Sequence, residues 1–586
     1  MPFPDDLSRW VWEQRYQWRG PGTAGDADVD ATRSRVARAV AAAEPADRSG
    51  WEARFRALLD DWRFLPGGRI LAGAGTGRAV TLLNCFVMGT IEDSLHGIFR
   101  ALEESAVTLQ QGGGIGCDFS TLRPRGARAE SAGTIASGPV SFMHVWNSMC
   151  ATVLASGSRR GAMMATLRID HPDVLEFIDA KRDPTALRFF NLSVQVTDRF
   201  LEAVRRDESW ALVHAADGGA AARTVPAREL WDRLLDAGHE TSEPGVLFVD
   251  TIDRENNLRG RETLTTTNPC GEVPLPPYGA CDLGSINLAR FVRSPFTTQA
   301  ALDLEAIEMH AALAVRFLDD VLDVTRFPLP QQAAAALATR RLGLGITGLA
   351  DALCMLGLRY DAAVARDLAA ATMRRVCHAA YVASAGLAAE KGAFPSFDRD
   401  PYLASAFVQR LPPGLRDRIA THGMRNSHLT VIAPAGTISL LAGNASSGIE
   451  PIFEFDGRRR VLDRQGRPLE FPVTDAAVRL WRELRGADTP LPEAFRSATT
   501  IDPEAHLLMQ AALQPWVDGA ISKTINLPAE FSRERYGALF TRAYELGLKG
   551  CTTYRAGTAR GQVVGPATDA EPTPAGDDVE RCCAVA

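Results

Sequence analysis

An amide, a thiol and a carboxylate alternate in Thr267-Asn268-Pro269-Cys270-Gly271-Glu272, and a second thiol follows in Tyr278-Gly279-Ala280-Cys281-Asp282. In an extended segment successive side chains point to opposite faces, so Asn268, Cys270 and Glu272 share one face. Pro269 denies the chain a ladder donor and Gly271 permits a tight bend, which predicts an exposed loop tip rather than a central strand. A thiol between a hydrogen-bonding amide and a proton-accepting carboxylate can serve one-electron or acid–base chemistry. The same residues also fit a plain turn around a buried cysteine.

Rigid elements must flank such a loop. Leu82-Leu83-Asn84-Cys85-Phe86-Val87 reads as a buried strand, in which Cys85 can be a small core hydrophobe. Asp93-Ser94-Leu95 opens a helix towards Gln111, with Asp93 and Ser94 suited to orphan amides. The glycines of Gln111-Gly112-Gly113-Gly114-Ile115-Gly116 follow a predicted helix, not a strand, so they are no dinucleotide fingerprint and instead let backbone approach a ligand. A helix beginning at Ser137 ends near Ala155 and runs into a basic loop, Ser156-Gly157-Ser158-Arg159-Arg160-Gly161-Ala162. Strands are predicted at Thr166–Ile169 and Asn191–Val196.

The N-terminal 62 residues carry apolar side chains at helical spacing, as do residues 301–326 and the Ala-rich 362–391; Cys354 and Cys377 lie on helical faces as packing residues. Arg341–Leu349 is a Gly-punctuated strand. Leu429-Thr430-Val431-Ile432 reads as a buried strand turning through Ala433-Pro434-Ala435-Gly436-Thr437-Ile438-Ser439 into a helix. Small residues, hydroxyls and free amides at a helix start can cradle a phosphate, or simply form a capped N-terminus. The Gly-rich Arg63–Thr76 stretch lacks the Lys-Ser/Thr of a phosphate-binding P-loop.

Composition narrows the function classes. The chain has 586 residues, 46% hydrophobic and 23% charged, with net charge −7, so no broad basic excess favours nucleic acid. Met1-Pro2-Phe3-Pro4-Asp5-Asp6 has neither the basic nor the apolar region of a signal peptide, and no apolar run has membrane-spanning length. Ten scattered cysteines without an export signal predict reduced thiols and a cytoplasmic protein. No His or Cys cluster has metal-ligand spacing, and no metal is expected. From about Gly561 the chain is Pro/Gly/Ala/Asp-rich, which predicts a flexible tail ending in Cys582-Cys583, a dithiol suited to exchange.

The segment Asn-Pro-Cys-Gly-Glu-Val-Pro-Leu-Pro-Pro-Tyr-Gly-Ala-Cys-Asp-Leu-Gly-Ser-Ile-Asn-Leu, residues 268–288, closely resembles the finger loop of ribonucleotide reductase large subunits. The resemblance spans roughly residues 5 to 558, with Ser446-Ser447-Gly448-Ile449-Glu450-Pro451 among its motifs. It implies an α/β fold, a ten-stranded barrel of the ribonucleotide reductase and glycyl-radical type. A helical region (1–62) would precede the catalytic barrel (63–560), and the tail (561–586) would follow. It implies that Cys270 becomes a thiyl radical removing the 3′ hydrogen of a ribonucleotide, that Asn268 holds substrate, and that Glu272 takes the 3′ hydroxyl proton. Cys85 and Cys281 would form the reducing dithiol. Asn84, Gly114 and the loop Pro434, Ala435, Gly436, Thr437 and Ile438 would bind substrate. Asp93, Ser94, Leu95, Arg123, Arg159 and Arg160 would meet a deoxynucleoside triphosphate effector at a homodimer interface. Cys582 and Cys583 would relay electrons from a thioredoxin-like reductant; their adjacency departs from the family's spaced pair.

The family divides by how the radical is made. Oxygen-dependent members use two adjacent tyrosines, where this chain has Thr552-Thr553-Tyr554, and anaerobic members carry an Arg-Val-Cys-Gly-Tyr glycyl motif that this sequence lacks. The wording of Phe64-Leu65-Pro66-Gly67-Gly68-Arg69-Ile70-Leu71 and Lys549-Gly550-Cys551-Thr552-Thr553-Tyr554-Arg555 resembles the adenosylcobalamin-dependent class. The Asp-x-His-x-x-Gly cobalamin motif is absent, so the cofactor's contacts stay unassigned. The alternatives are a metal-dependent reductase subunit needing a radical-generating partner, and a glycyl-radical-type barrel enzyme.

Overall fold

The computed structural model describes residues 3–20, 25–129, 134–153, 161–214, 221–462, 467–558 and 564–565. The chain divides into two compact units: Met1–Asn84 with Ala280–Lys523 and Gln562–Ala586, and Cys85–Gly279 with Thr524–Gly561.

In the first unit three helices open the chain, Asp6–Val11, Val29–Ala41 and Arg48–Leu58. Asp5, Asp28 and Asp47 cap them by accepting the amides of Ser8, Ala31 and Gly50. Val36, Val40 and Phe55 are fully buried, as the helical spacing predicts. Phe64–Pro66 then pairs antiparallel with Ala280–Asn287, which pairs in parallel with Leu342–Thr347. The helices Leu304–Val324 and Ala363–Lys391 fall within the stretches read as helical, and Asp303 caps the first. Buried charge ties these helices to the N-terminal region. Arg316 grips both carboxylate oxygens of Glu44 at 2.6 and 2.9 Å, and Lys391 bridges Glu44 and Asp320 at 3.1 and 2.5 Å. Cys354 and Cys377 are packing residues, and burial pushes both thiols well above their usual range.

Every residue of Ala280–Asn287 is buried. On this strand Asp282 has no solvent exposure, and neither carboxylate oxygen has a partner among the described residues. Burial, reinforced by the nearby charge of Asp319 and opposed by Arg340, pushes its carboxyl well above the usual range. A raised folded-state pKa stabilises fully below the unfolded value, about 3.9, and that stabilisation is lost as pH rises towards the folded value. Asp282→Asn carries no such dependence. Its melting temperature relative to the parent protein should therefore climb between pH 5 and pH 8. Melts showing the same difference at both pH values would remove the protonated Asp282.

The second unit is a mainly parallel sheet. Cys85–Val87, Gly114–Asp118, Met163–Arg168, Phe190–Val196 and Gly245–Phe248 lie side by side in that order, all parallel. Gly550–Arg555 joins antiparallel to Gly245–Phe248, and Thr524–Leu527 extends it in parallel. Parallel neighbours need crossover connections. The helices Leu95–Gln110, Pro139–Thr152 and Val174–Asp179 supply successive ones. The Gly run after Leu95–Gln110 opens a strand, so its glycines stand beside the neighbouring backbone. Three strands of the first unit and seven of the second make ten.

One predicted strand is absent as a regular element. Leu429–Ile432 is extended but makes only single backbone pairings, Thr430 with Leu344 and Ile432 with Ile521. Asp518 takes the place of a ladder partner, its carboxylate accepting the Leu429 and Thr430 amides at 2.8 Å each.

Candidate active site

The Asn-Pro-Cys-Gly-Glu stretch is the turn of a short hairpin, with Thr266–Thr267 paired to Pro274–Leu275. This corrects the extended reading. Gly271 adopts φ +86°, and its amide donates to the Asn268 carbonyl at 3.1 Å. The Asn268 amide donates to the Val273 carbonyl at 3.3 Å, and the Val273 amide donates back to Asn268 Oδ1 at 3.0 Å. Asn268 and Glu272 therefore meet across a closed turn rather than along one strand face. The tip is also not exposed as predicted: Asn268 and Glu272 are each 1% exposed, and Cys270 is half-buried.

Three of the expected groups converge. Asn268 Nδ2 donates to Glu272 Oε1 at 2.8 Å and lies 3.1 Å from Cys85 Sγ. The Cys85 thiol is 4.0 Å from the same carboxylate oxygen. Cys85, at the head of its strand, is 3% exposed. Gly114 stands beside it in register. A carboxylate held by an amide, next to a thiol in a dry setting, can take up and return a proton. Cys270 sits at the apex of the same turn, and a side chain built at Gly271 would meet nothing within 4 Å. The far limb is anchored by Tyr278, whose hydroxyl donates to Glu104 at 3.0 Å and is pushed up to about 12 by burial and that carboxylate.

Sequence reasoning missed the wall behind the loop. Gln195 Nε2 donates to the Thr265 carbonyl at 2.7 Å, and Asn191 Nδ2 donates to the Pro269 carbonyl at 2.8 Å. Between them the Thr267 carbonyl lies 1.9 Å from where a Cβ on Gly116 would stand. The available signal was two polar side chains four residues apart on one face of a strand otherwise buried, which need partners.

The other expected residues fall as follows. Cys281 is buried on Ala280–Asn287 in the first unit, its sulfur 3.2 Å from the Asp282 carbonyl. Asn84 Oδ1 in that unit is buried without a partner among the described residues. The turn at Ala433–Ser439 leads into the short helix Gly436–Leu441, which no side chain caps. Pro434, Gly436, Thr437 and Ile438 are half-buried, and a Cβ on Gly436 would face open space. The Ala435 amide is already taken by Ser447 Oγ at 2.7 Å. In the second unit Ser94 caps Leu95–Gln110 through the Gly97 amide, and Arg123 is locked onto Asp93 at 2.8 Å while Leu95 is exposed. Arg159, Arg160, Cys582 and Cys583 lie outside the described residues. Among the described residues, the one set of three or more candidate ligands close enough to share an ion is Asp319, Asp320 and Asp323. Arg340, Arg425 and Lys391 already pair with it.

Comparison with known proteins shows the family of the chain. The family model "Ribonucleotide reductase, barrel domain" matches residues 83–554, and "Ribonucleotide reductase, all-alpha domain" matches residues 2–79. The chain is similar to the vitamin B12-dependent ribonucleoside-diphosphate reductase of Mycobacterium tuberculosis (strain CDC 1551 / Oshkosh), 43% identical over 91% of this chain and 76% of the relative. It is also similar to the protein of that name from Thermoplasma acidophilum, 36% identical over 86% of this chain and 65% of the relative. The expected α/β barrel is thus the barrel of this family. The chain belongs to the ribonucleotide reductase family.

Proposed function

We propose that this chain reduces ribonucleoside diphosphates to 2′-deoxyribonucleotides by thiyl-radical chemistry that adenosylcobalamin initiates. The observation carrying the proposal is the convergence of Cys85 with Asn268 and Glu272, the two residues that flank Cys270 in its turn. The choice of class and of diphosphates rests on the relatives, which are vitamin B12-dependent ribonucleoside-diphosphate reductases. The half-buried Cys270 and the open space beside Gly271 suit approach by a large cofactor. When bound, that cofactor supplies the radical, and the protein supplies position and proton transfer.

The chain's own residues then divide the work. Cys270 takes the 3′ hydrogen of the ribose and returns it at the end. Glu272 accepts the 3′ hydroxyl proton, and Asn268 holds both that carboxylate and the substrate. Cys85 and Cys281 together give two electrons, becoming a disulfide as the 2′ hydroxyl leaves as water. Cys582 and Cys583 pass electrons from a thioredoxin-like reductant to that pair. The uncapped Gly436–Leu441 start, with Pro434, Ala435, Thr437 and Ile438, takes the substrate phosphates, and Asn84 and Gly114 complete its site.

Asp93, Ser94, Leu95 and Arg123, with Arg159 and Arg160, bind a deoxynucleoside triphosphate that selects the base reduced, by coupling between sites. The helices Leu95–Gln110 and Pro139–Thr152 form the homodimer contact. Leu95 and Phe99, one turn apart, are 67% and 52% exposed, an apolar face that a second copy would cover. No helix among the described residues is long and apolar enough to cross a membrane. We place the enzyme in the cytoplasm.

Purified protein with adenosylcobalamin and dithiothreitol should form deoxynucleotide from each ribonucleoside diphosphate, with no second subunit. Omitting cobalamin should reduce the rate to background. Activity that ignores cobalamin and needs an added iron or manganese protein would overturn the assignment.

A further inference from the structure

The rising limb of the finger loop meets the sheet wall through its backbone carbonyls. Three alternate carbonyls, Thr265, Thr267 and Pro269, meet the sheet wall at Gln195, Gly116 and Asn191. The three partners come from two strands of one unit, Gly114–Asp118 and Phe190–Val196. Asn191 and Gln195 are four residues apart, so both amides leave the same face of their strand. Gln195 is further fixed by donating to Thr166 Oγ1 at 2.9 Å.

The contact at Asn191 has a particular consequence. The Pro269 carbonyl belongs to the peptide plane that joins Pro269 to Cys270. Peptide units are planar, so fixing that oxygen fixes the direction of the Cys270 amide and the start of its Cα. The next peptide turns sharply at Gly271, whose φ is +86° and where an added Cβ would meet nothing within 4 Å. The Asn268 side chain is engaged with Glu272, Cys85 and Val273. Asn191 grips the carbonyl of the peptide that leads directly into Cys270.

We infer that Asn191 is a positioning residue for the Cys270 thiol, acting through the Pro269–Cys270 peptide. The inference rests on the proposed radical chemistry at Cys270 and deepens it. Hydrogen transfer between carbon and sulfur depends steeply on the approach distance, so a loosened apex should lower turnover and leave substrate binding alone.

The test uses full-length Asn191→Asp and Asn191→Ala. Asp keeps the shape and puts an acceptor where the donor was, so it separates the hydrogen bond from packing. Both variants should lose kcat by about 10- to 100-fold, with KM within about twofold of the parent. Substrate deuterated at C3′ should show a larger isotope effect on kcat in both, because hydrogen transfer becomes more limiting. In the cofactor-free protein, alkylation of Cys270 by iodoacetamide, followed by peptide mass spectrometry, should change at least about threefold in rate, with an unchanged melting temperature. Parental kcat and parental alkylation in Asn191→Asp would overturn the inference. So would a loss of activity matched by loss of folded protein in both variants. If the parent itself fails to reduce ribonucleotides with adenosylcobalamin, the proposed function fails, and the alkylation rates still decide whether Asn191 holds the thiol.

Discussion

Replacing Cys270 by serine should abolish deoxynucleotide formation while leaving a folded protein that binds nucleotide. The substitution exchanges one atom at a half-buried position at the apex of a turn whose hydrogen bonds come from Asn268, Val273 and Gly271. None of those bonds uses the Cys270 side chain, so the hairpin should keep its shape. The hydroxyl holds its hydrogen far more tightly than a thiol does, and an alkoxyl radical is correspondingly inaccessible. Removing the atom that carries the chemistry costs on the order of 10⁴-fold or more. Product formation by chromatography and substrate affinity by calorimetry should therefore separate completely. Turnover within 100-fold of the parent would move the radical to another residue and dissolve the role given to the finger loop.

The contrast with Cys85 shows how much of this site a sequence can disclose. The residue types at 268, 270 and 272 were readable as chemistry, but the reason for their proximity was not. Alternation along an extended chain places them on one face. The chain instead closes a turn, and Asn268 reaches Glu272 because the Asn268 amide and Val273 carbonyl pair across it. Cys85, 183 residues from Asn268, joins them only through the fold. Periodic helices such as Leu304–Val324 and Ala363–Lys391 were legible because one apolar face must be buried over many turns. Leu429–Ile432 looked like a strand for the same apolar reason, yet the Asp518 carboxylate takes amides that a neighbouring strand would have taken. The hairpin Asp456–Leu462 with Pro468–Thr474 went unread because its first strand carries three successive arginines instead of alternation. Asn191 and Gln195 were hidden differently. Each looks like one polar member of an alternating strand, and its partner is a backbone carbonyl about 70 to 80 residues away, which no side-chain pattern marks.

Gly116→Ala should be as damaging to turnover as a change in the reacting groups themselves. The added Cβ would stand 1.9 Å from the Thr267 carbonyl oxygen and 2.9 Å from its carbon, both backbone atoms that no rotamer change can clear. Contact begins at about 3 Å, so either the strand Gly114–Asp118 or the rising limb of the hairpin must shift by roughly 1 Å. The strand is paired on both sides, with Cys85–Val87 and Met163–Arg168, whereas the limb pairs with the other limb of its own short hairpin and meets this sheet through single hydrogen bonds. The limb is therefore the part that yields. Thr267 is bonded directly to Asn268, so the displacement passes to the amide that orients Glu272 and Cys85, and through Pro269 to Cys270. A misplacement of about 1 Å at reacting groups costs on the order of 10²-fold, and kcat should fall at least that far. Overpacking adds about 1–3 kcal/mol of destabilisation, which a melt can register without loss of the fold. Substrate affinity should change less than kcat, because the turn at Pro434–Ile438, proposed to take the phosphates, belongs to the other unit. A Gly116→Ala protein with parental kcat would mean that the hairpin is not pressed against this strand, and the backbone account of how Cys270 is aimed would fail with it.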